Sequence, residues 1–189
     1  MGLDTVFPEL EAIEDERLRA GVSKAWRTAL DENGVDLDEL DAVPWFPPTQ
    51  VALEMAADEA TLVEHVRDVT ACALALAETL SERRPSLDVD LDTVLAGGLV
   101  HDVSKLYEFH GMERTEIGDL LGHPYFGIAA AAGAGLPAEI LHITLSHSRR
   151  TAVEPATLEA EIVCRADRVA AAGIRSPFVD DLREHCGAR

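Results

Sequence analysis

Apolar residues recur at intervals of three to five along this chain, in one segment after another, and no stretch alternates convincingly with period two. That pattern restricts the chain to helices packed on helices. Leu10, Ile13, Leu18, Val22, Trp26 and Leu30 predict one amphipathic helix from Pro8 to about Glu32, ended by Asn33-Gly34. Val43-Pro44-Trp45-Phe46-Pro47-Pro48 then breaks helix and reads as a connector whose aromatics pack on the main body. From Asp58 a long helix is expected through Leu62, His65, Val69 and Leu76, stopping before Pro85. Asp90 or Asp92 can cap the next, through Leu95 and Leu99 to about Lys105, with a polar loop around His110-Gly111 after it. Pro124, Pro137 and Pro155 each suit the start of a further helix, the last ending at Gly173, and Pro177 to His185 suits a short final one. The fold class expected is all-α, an irregular helical bundle.

Composition narrows the setting. With 189 residues, 47% of them hydrophobic, the chain can bury one full core. Cys72, Cys164 and Cys186 lie far apart and form no metal-binding or disulfide pattern, so buried thiols are expected. No apolar run reaches the roughly 18 residues that span a bilayer, and no basic-then-apolar leader is seen, which predicts a soluble, cytoplasmic protein without a membrane partner. Acidic residues number 35 against 16 basic ones, and only Lys24 and Lys105 are lysines. A net charge of −19 offers no basic footprint to nucleic-acid phosphates, so long nucleic acid is not an expected partner. The same lysine-poor, acidic composition is halophile-like, since molar salt screens the carboxylate repulsion.

Histidine and aspartate placement carries the chemistry. His65 sits mid-helix on an apolar side, His101-Asp102 closes the apolar run Val94-Leu-Ala-Gly-Gly-Leu-Val, and Asp167 interrupts the apolar face of the segment Ile162 to Val169. A buried carboxylate without a partner costs several kcal/mol, so Asp102 and Asp167 need cations or donors beside them. Imidazole nitrogen with carboxylate oxygen suits a divalent Mn, Fe, Co, Ni or Zn ion, and the lack of thiolates favours an open site over a structural zinc cluster.

At this point the chain resembles the HD superfamily of metal-dependent phosphohydrolases, defined by the order H, HD, D. The pieces are Glu64-His65-Val66-Arg67, Gly98-Leu99-Val100-His101-Asp102-Val103-Ser104-Lys105-Leu106 and Cys164-Arg165-Ala166-Asp167-Arg168, within about residues 60–172. Leu121-Gly122-His123-Pro124 and Leu145-Ser146-His147-Ser148 match the extended H, HD, H, H, D order of binuclear members. The resemblance implies that His65, His101, Asp102 and Asp167 hold a first ion, and that His123 and His147 with a bridging Asp102 hold a second. On the bland alternative, His123 merely starts a helix and His147 faces solvent. The organisation implied is an HD domain over 51–189, with residues 1–50 adding the N-terminal helix and connector to the same structural unit.

Lys105 follows Asp102 by about one helical turn and shares its face. In the family's manner it would bind a phosphate oxygen; otherwise it complements a helix dipole. Arg149 and Arg150, directly after His147, suit a second phosphate or leaving group, or surface ion pairs. Glu64, Arg67 and Asp68 are candidates to orient the imidazoles. His142, five residues before His147, is either an extra ligand or member of that outer layer, or a core histidine on an apolar helix. Trp26, Trp45, Phe46, Tyr107 and Phe109 read as packing anchors, with Tyr107 and Phe109 near enough to the HD pair to line a pocket.

The sequence lacks the Gly-Tyr-Pro element of cyclic-di-GMP phosphodiesterases. From His147 to Asp167 it is similar to the HD domain of YhaM-type exoribonucleases, but no OB-like region precedes it. The expected reaction is hydrolysis of a phosphate monoester or diester, on a nucleotide or another small phosphorylated molecule, by a metal-activated water. Two other classes share the pattern: a di-iron oxygenase of the myo-inositol oxygenase type, and a metal-stabilised regulatory module without turnover. A homodimer is left open.

Overall fold

The structure, a computed structural model, describes residues 2–184. Its core forms where helices α4 (Leu62–Arg83), α5 (Leu91–Val100) and α10 (Leu158–Arg175) pack on one another. Ahead of them come α1 (Leu3–Val6), α2 (Glu16–Asn33) and α3 (Pro47–Ala52). Between α5 and α10 lie α6 (Lys105–Glu108), the strands β1 (Phe109–His110) and β2 (Glu113–Arg114), α7 (Glu116–Leu120), α8 (His123–Gly133) and α9 (Ala138–Ser146). One contiguous apolar cluster runs from Leu3 to Ala170, so the N-terminal segment shares the core of the rest. Among the described residues no helix is long and apolar enough to cross a membrane.

Local signals explain most boundaries. Thr61 and Glu64 form a reciprocal capping box that starts α4, and the Asp90 carboxylate accepts from the backbone of Asp92 and Thr93 to start α5. Gly34, in the left-handed region, closes α2 after Asn33. Two adjacent glycines set how near α5 approaches its neighbours. A Cβ on Gly97 would stand 2.6 Å from Ile143 of α9, and one on Gly98 would stand 2.9 Å from Thr70 of α4. The Trp26 indole donates to the Leu99 carbonyl at 2.8 Å, tying α2 to the last turn of α5 just before His101.

Several expectations need correction. The single helix from Pro8 to Glu32 is instead a 3-10 turn, Pro8–Ala12, and α2. Asp15 caps α2, and Asp92 at the head of α5 accepts from the backbone N–H groups of Glu14 and Asp15 at 2.9 and 2.6 Å, holding the break open. The helix expected to reach Lys105 stops at Val100, turns through His101 to Ser104, and resumes as α6. The expected polar loop contains a two-residue hairpin and α7. Helix α10 starts after Thr157, which caps it, rather than at Pro155, and it passes through Gly173 to Arg175. Val169 is exposed, so the buried face of α10 is built by Ile162, Val163, Ala166 and Ala170. The tail shows short 3-10 turns at Ser176–Phe178 and Leu182–Glu184; His185 and Cys186 lie outside the described residues.

Candidate metal centre

Five helical elements deliver six donor side chains to one point. His65 projects from the middle of α4 and Asp167 from α10; His101 and Asp102 follow the end of α5, His123 opens α8, and His147 follows α9. The four histidines and Asp102 are buried, and Asp167 is partly exposed. Asp102 is the hub. Its Oδ2 lies 3.2 Å from His65 Nε2 and 3.3 Å from His101 Nε2, while its Oδ1 lies 3.4 Å from His123 Nε2 and 3.6 Å from His147 Nε2. Asp167 Oδ1 stands 3.1 Å from His65 Nε2 and 4.0 Å from His101 Nε2. The donors thus fall into two groups that share Asp102: His65, His101, Asp102 and Asp167, and Asp102, His123 and His147.

The backbone decides which ring nitrogens face inward. His101 Nδ1 donates to the Gly98 carbonyl and His147 Nδ1 to the Thr144 carbonyl, each at 2.7 Å. A carbonyl only accepts, so each Nδ1 carries the proton and each Nε2 is turned to the centre. His123 Nδ1 donates to Glu108 Oε2 at 2.5 Å, and the His123 backbone N–H reaches the same oxygen at 3.2 Å. Gly122, with φ of 77°, makes the turn that places His123 at the head of α8.

Charge follows from the same geometry. Burial alone would raise Asp102, but the Lys105 ammonium, 2.6 Å from Oδ2, together with His101 and His123 holds its carboxyl well below the usual range. Burial would raise Asp167 likewise, and His65, His147 and His101 lower it instead. Burial pushes His101 down, and pushes His123 to about 4 against the pull of Asp102 and Glu108, so both rings are neutral near pH 7. For His147 the hydrogen bond and charge of Asp102 overcome burial and raise it.

These facts together test whether metal fits. A neutral His101 or His123 that has already donated through Nδ1 turns a lone pair toward a carboxylate oxygen, and two acceptors 3.3–3.4 Å apart repel unless a cation lies between them. His65 Nε2, His101 Nε2 and Asp102 Oδ1 are buried with no hydrogen-bond partner among the described residues. Ligand atoms about 2.1 Å from one ion stand roughly 3.0–3.4 Å from each other, and the closest spacings here, 3.1–3.6 Å, match. Both groups therefore have the chemistry and spacing to hold a divalent ion.

The centre opens on a cavity of about 480 Å³ lined by Asp102, Asp167, Lys105, Arg149 and Arg150 among others. Arg150 is not a loose surface cation: its Nη1 binds the fully buried Glu108 at 2.6 Å, and Arg114 binds the same carboxylate at 3.2 Å. Glu108, whose carboxyl is pulled to about 2 by His123 and Arg150 against burial, was not anticipated from the sequence. It follows Lys105 by three residues, a spacing that could have flagged it. Trp45 and Phe46 also line the cavity, as do Arg168 and Arg175 of α10, so the connector does more than pack. Tyr107 turns away and donates to Glu32 at 2.6 Å, and Phe109 packs edge-on against Phe46.

The expected imidazole-orienting residues are elsewhere. Glu64 is occupied by the Thr61 cap, Arg67 pairs with Glu9 at 2.9 Å, and Asp68 shares their exposed side of α4. His142 accepts from the Ala156 backbone N–H at 2.8 Å, joining α9 to the loop before α10. For His101, His147 and His123, backbone carbonyls and Glu108 do the orienting instead, while His65 Nδ1 is buried without a hydrogen-bond partner among the described residues.

Comparison with known proteins agrees with this architecture. The chain is 29% identical over 169 residues to the dihydroneopterin 2′,3′-cyclic phosphate phosphodiesterase of Methanocaldococcus jannaschii, a match that covers 83% of this chain and spans 64% of that relative's length. No solved structure matches. The HD domain family matches residues 62–172, more than half the chain and the whole stretch from His65 to Asp167. The chain belongs to the HD domain family.

Proposed function

We propose that this protein is a metal-dependent phosphohydrolase with a binuclear centre, acting on a small phosphate ester, first of all a cyclic phosphodiester. The observation that carries the proposal is the pair of donor groups sharing Asp102 at the floor of a cation-lined cavity. His65, His101, Asp102 and Asp167 would hold one ion, and Asp102, His123 and His147 the other, drawn from Mn, Fe, Co, Ni or Zn. Bound there, such ions supply Lewis acidity toward a phosphoryl oxygen and an acidified water as nucleophile.

The chain's own residues do the remainder. Asp102 keeps its charge at neutral pH, so it can bind both positions at once. The Lys105 ammonium lies against Asp102 and lines the cavity, so it meets a phosphate oxygen entering beside that carboxylate. Trp45 and Phe46 give the cavity an apolar wall against which a planar ring can rest. The name of the methanogen relative supports a diester over the di-iron oxygenase and the non-catalytic module, and is the reason for trying small cyclic phosphodiesters first.

The test is metal analysis of protein purified without chelator, followed by turnover of 2′,3′-cyclic nucleotides and bis(p-nitrophenyl) phosphate with each metal. About two ions per chain and metal-dependent turnover, both lost in Asp102→Ala, are expected. Full activity in Asp102→Ala would refute the proposal.

A further inference from the structure

One long stretch of this acidic chain lacks charged side chains. Between Asp119 and Glu139, which bound it, the run Leu120 to Ala138 holds no Asp, Glu, Lys or Arg, in a protein of net charge −19, and no other uncharged run is as long. It covers the end of α7, the turn at Gly122, all of α8 and the connection to α9. Much of it is at the surface. Leu120, Leu121 and Tyr125 are 74%, 53% and 47% exposed, and Ala129 and Ala132 are exposed as well. Tyr125, Ala129 and Ala132 stand at intervals of four and three, so they share one face of α8. Exposed apolar residues are ordinary singly, but gathered on one face they mark a contact surface. Leu76 and Val169 are exposed too, on helices that carry Glu78, Glu82, Arg165 and Arg168.

Charge decides what covers this face. At about 0.15 M salt, charges act on one another within roughly 8 Å, so two copies of so acidic a chain are spared repulsion only where no carboxylates meet at the contact. The flank of the face adds an attraction. Helix α2 runs beside α8 in the opposite direction: the Lys24 ammonium donates to the carbonyl of Gly133, the last residue of α8, at 2.9 Å, while Glu32 binds Tyr107, whose ring lies 4.7 Å from that of Phe126 in the first turn of α8. Lys24, Arg27, Asp31 and Glu32 are all exposed, and Lys24, Arg27 and Asp31 share one side of α2. That side is therefore basic near the end of α8 and acidic near its start. Two such faces laid antiparallel across a twofold axis set Lys24 of each copy opposite Asp31 and Glu32 of the other, and they oppose the helix dipoles. Ala129, near the middle of α8, then faces its own counterpart close to the axis, where alanines let helix axes approach to about 8 Å.

We propose that this face is a homodimer interface, in which α8 and the exposed side of α2 pack against the same elements of a second copy, antiparallel about a twofold axis. The inference is independent of the chemistry in the cavity. A contact made by one helix face and its flank is small for an interface, so the dimer is weak, with a dissociation constant on the order of 10–100 μM.

Sedimentation velocity on the full chain, from about 10 μM to 1 mM at about 0.15 M salt, tests it. Wild type should pass from monomer to dimer over that range. Ala129→Glu sets two carboxylates against each other at the axis and should weaken association at least tenfold. Lys24→Glu and Asp31→Lys each turn two attractions into repulsions and should each weaken it about five- to tenfold. Mixing those two variants should restore association, because each then supplies the sign that the other has lost. All three variants should keep the circular dichroism spectrum and metal content of wild type, since none of these side chains is among the metal-site donors. A wild type that stays monomeric throughout would overturn the dimer and leave the face to a different partner. Dimerisation untouched by Ala129→Glu, or a Lys24→Glu and Asp31→Lys mixture no better associated than either variant alone, would overturn it equally.

Discussion

Replacing Glu108 by Gln tests how the second ion position is built. The carboxylate receives four donors: His123 Nδ1 at 2.5 Å, the His123 backbone at 3.2 Å, Arg150 at 2.6 Å and Arg114 at 3.2 Å. A carboxyl held at about 2 against an ordinary 4.5 favours its charged form by on the order of 3 kcal/mol. Gln keeps the shape and one acceptor but removes the charge that draws His123 and both arginines together. The arginine side chains are about a third exposed and can rehydrate, which limits the loss of folding stability to roughly 1–2 kcal/mol. The metal effect should be larger, because a neutral amide neither polarises the imidazole nor fixes its rotamer as firmly. Loss of such an outer partner typically costs about 10–100-fold in metal affinity. Titration of the chelator-treated variant with Mn or Zn, followed by elemental analysis, should give one ion per chain where wild type binds two. The ion held by His65, His101, Asp102 and Asp167 should be retained. Two ions bound with unchanged affinity in Glu108→Gln would refute the reasoning, and one ion in wild type would instead refute the binuclear centre.

Lys105→Ala should keep wild-type metal content yet lower turnover by about 10²-fold, the size of one lost charge-stabilising donor; steady-state kinetics beside elemental analysis would show it, and unchanged turnover would remove Lys105 from the reaction. Acid should unfold the metal-free protein in a defined order. His123, lowered to about 4 from 6.5, contributes stability that is complete above 6.5 and lost as pH falls toward 4. Glu108, lowered to about 2 from 4.5, contributes stability lost between 4.5 and 2. Melting temperature against pH should therefore fall in both windows, and Glu108→Gln should make the lower fall shallower without abolishing it, because Asp102 and Asp167, also lowered, lose their charge there too. Gly97→Ala would place a methyl 2.6 Å from Ile143 and force α5 from α9, costing about 1–3 kcal/mol; an unchanged denaturation midpoint would show that the two helices have slack there.

Much of the centre was legible because polar residues stood where the helical pattern demanded apolar ones. His65, His101, Asp102 and Asp167 interrupt apolar faces, and Asp102 sits where burial without a partner is costly. Asp90, Pro124 and Pro137 marked the starts of α5, α8 and α9 for an equally local reason, whereas Pro8 and Pro155 did not mark those of α2 and α10. What escaped depends on partners distant in sequence. The break before α2 is held by Asp92, 77 residues after Asp15. Glu108 gains its role from Arg150, 42 residues on. The connector carries Trp45 beside His65, with 5.0 Å between ring centroids, where its backbone pairs with residues 60–62 at the head of α4. A two-residue hairpin has no period to detect.

The two proposed ion positions are built differently, and that difference has consequences. The first takes His65 and Asp167 from within α4 and α10, long helices packed side by side in the core, with His101 oriented by a carbonyl of its own helix. Moving those ligands would require moving the core itself. The second takes His123 and His147 from helix ends, where the backbone is least constrained, and Arg150, three residues past His147, grips the same Glu108 that grips His123. That ion pair does for the second position what helix packing does for the first. Asp102 joins the two, one carboxylate oxygen facing each set, so its own placement at the end of α5 is the point on which both depend. The close approach of α5 to its neighbours through Gly97 and Gly98 then bears on the proposed metal centre: a side chain at either position would meet Ile143 or Thr70 and push away the helix whose end carries Asp102.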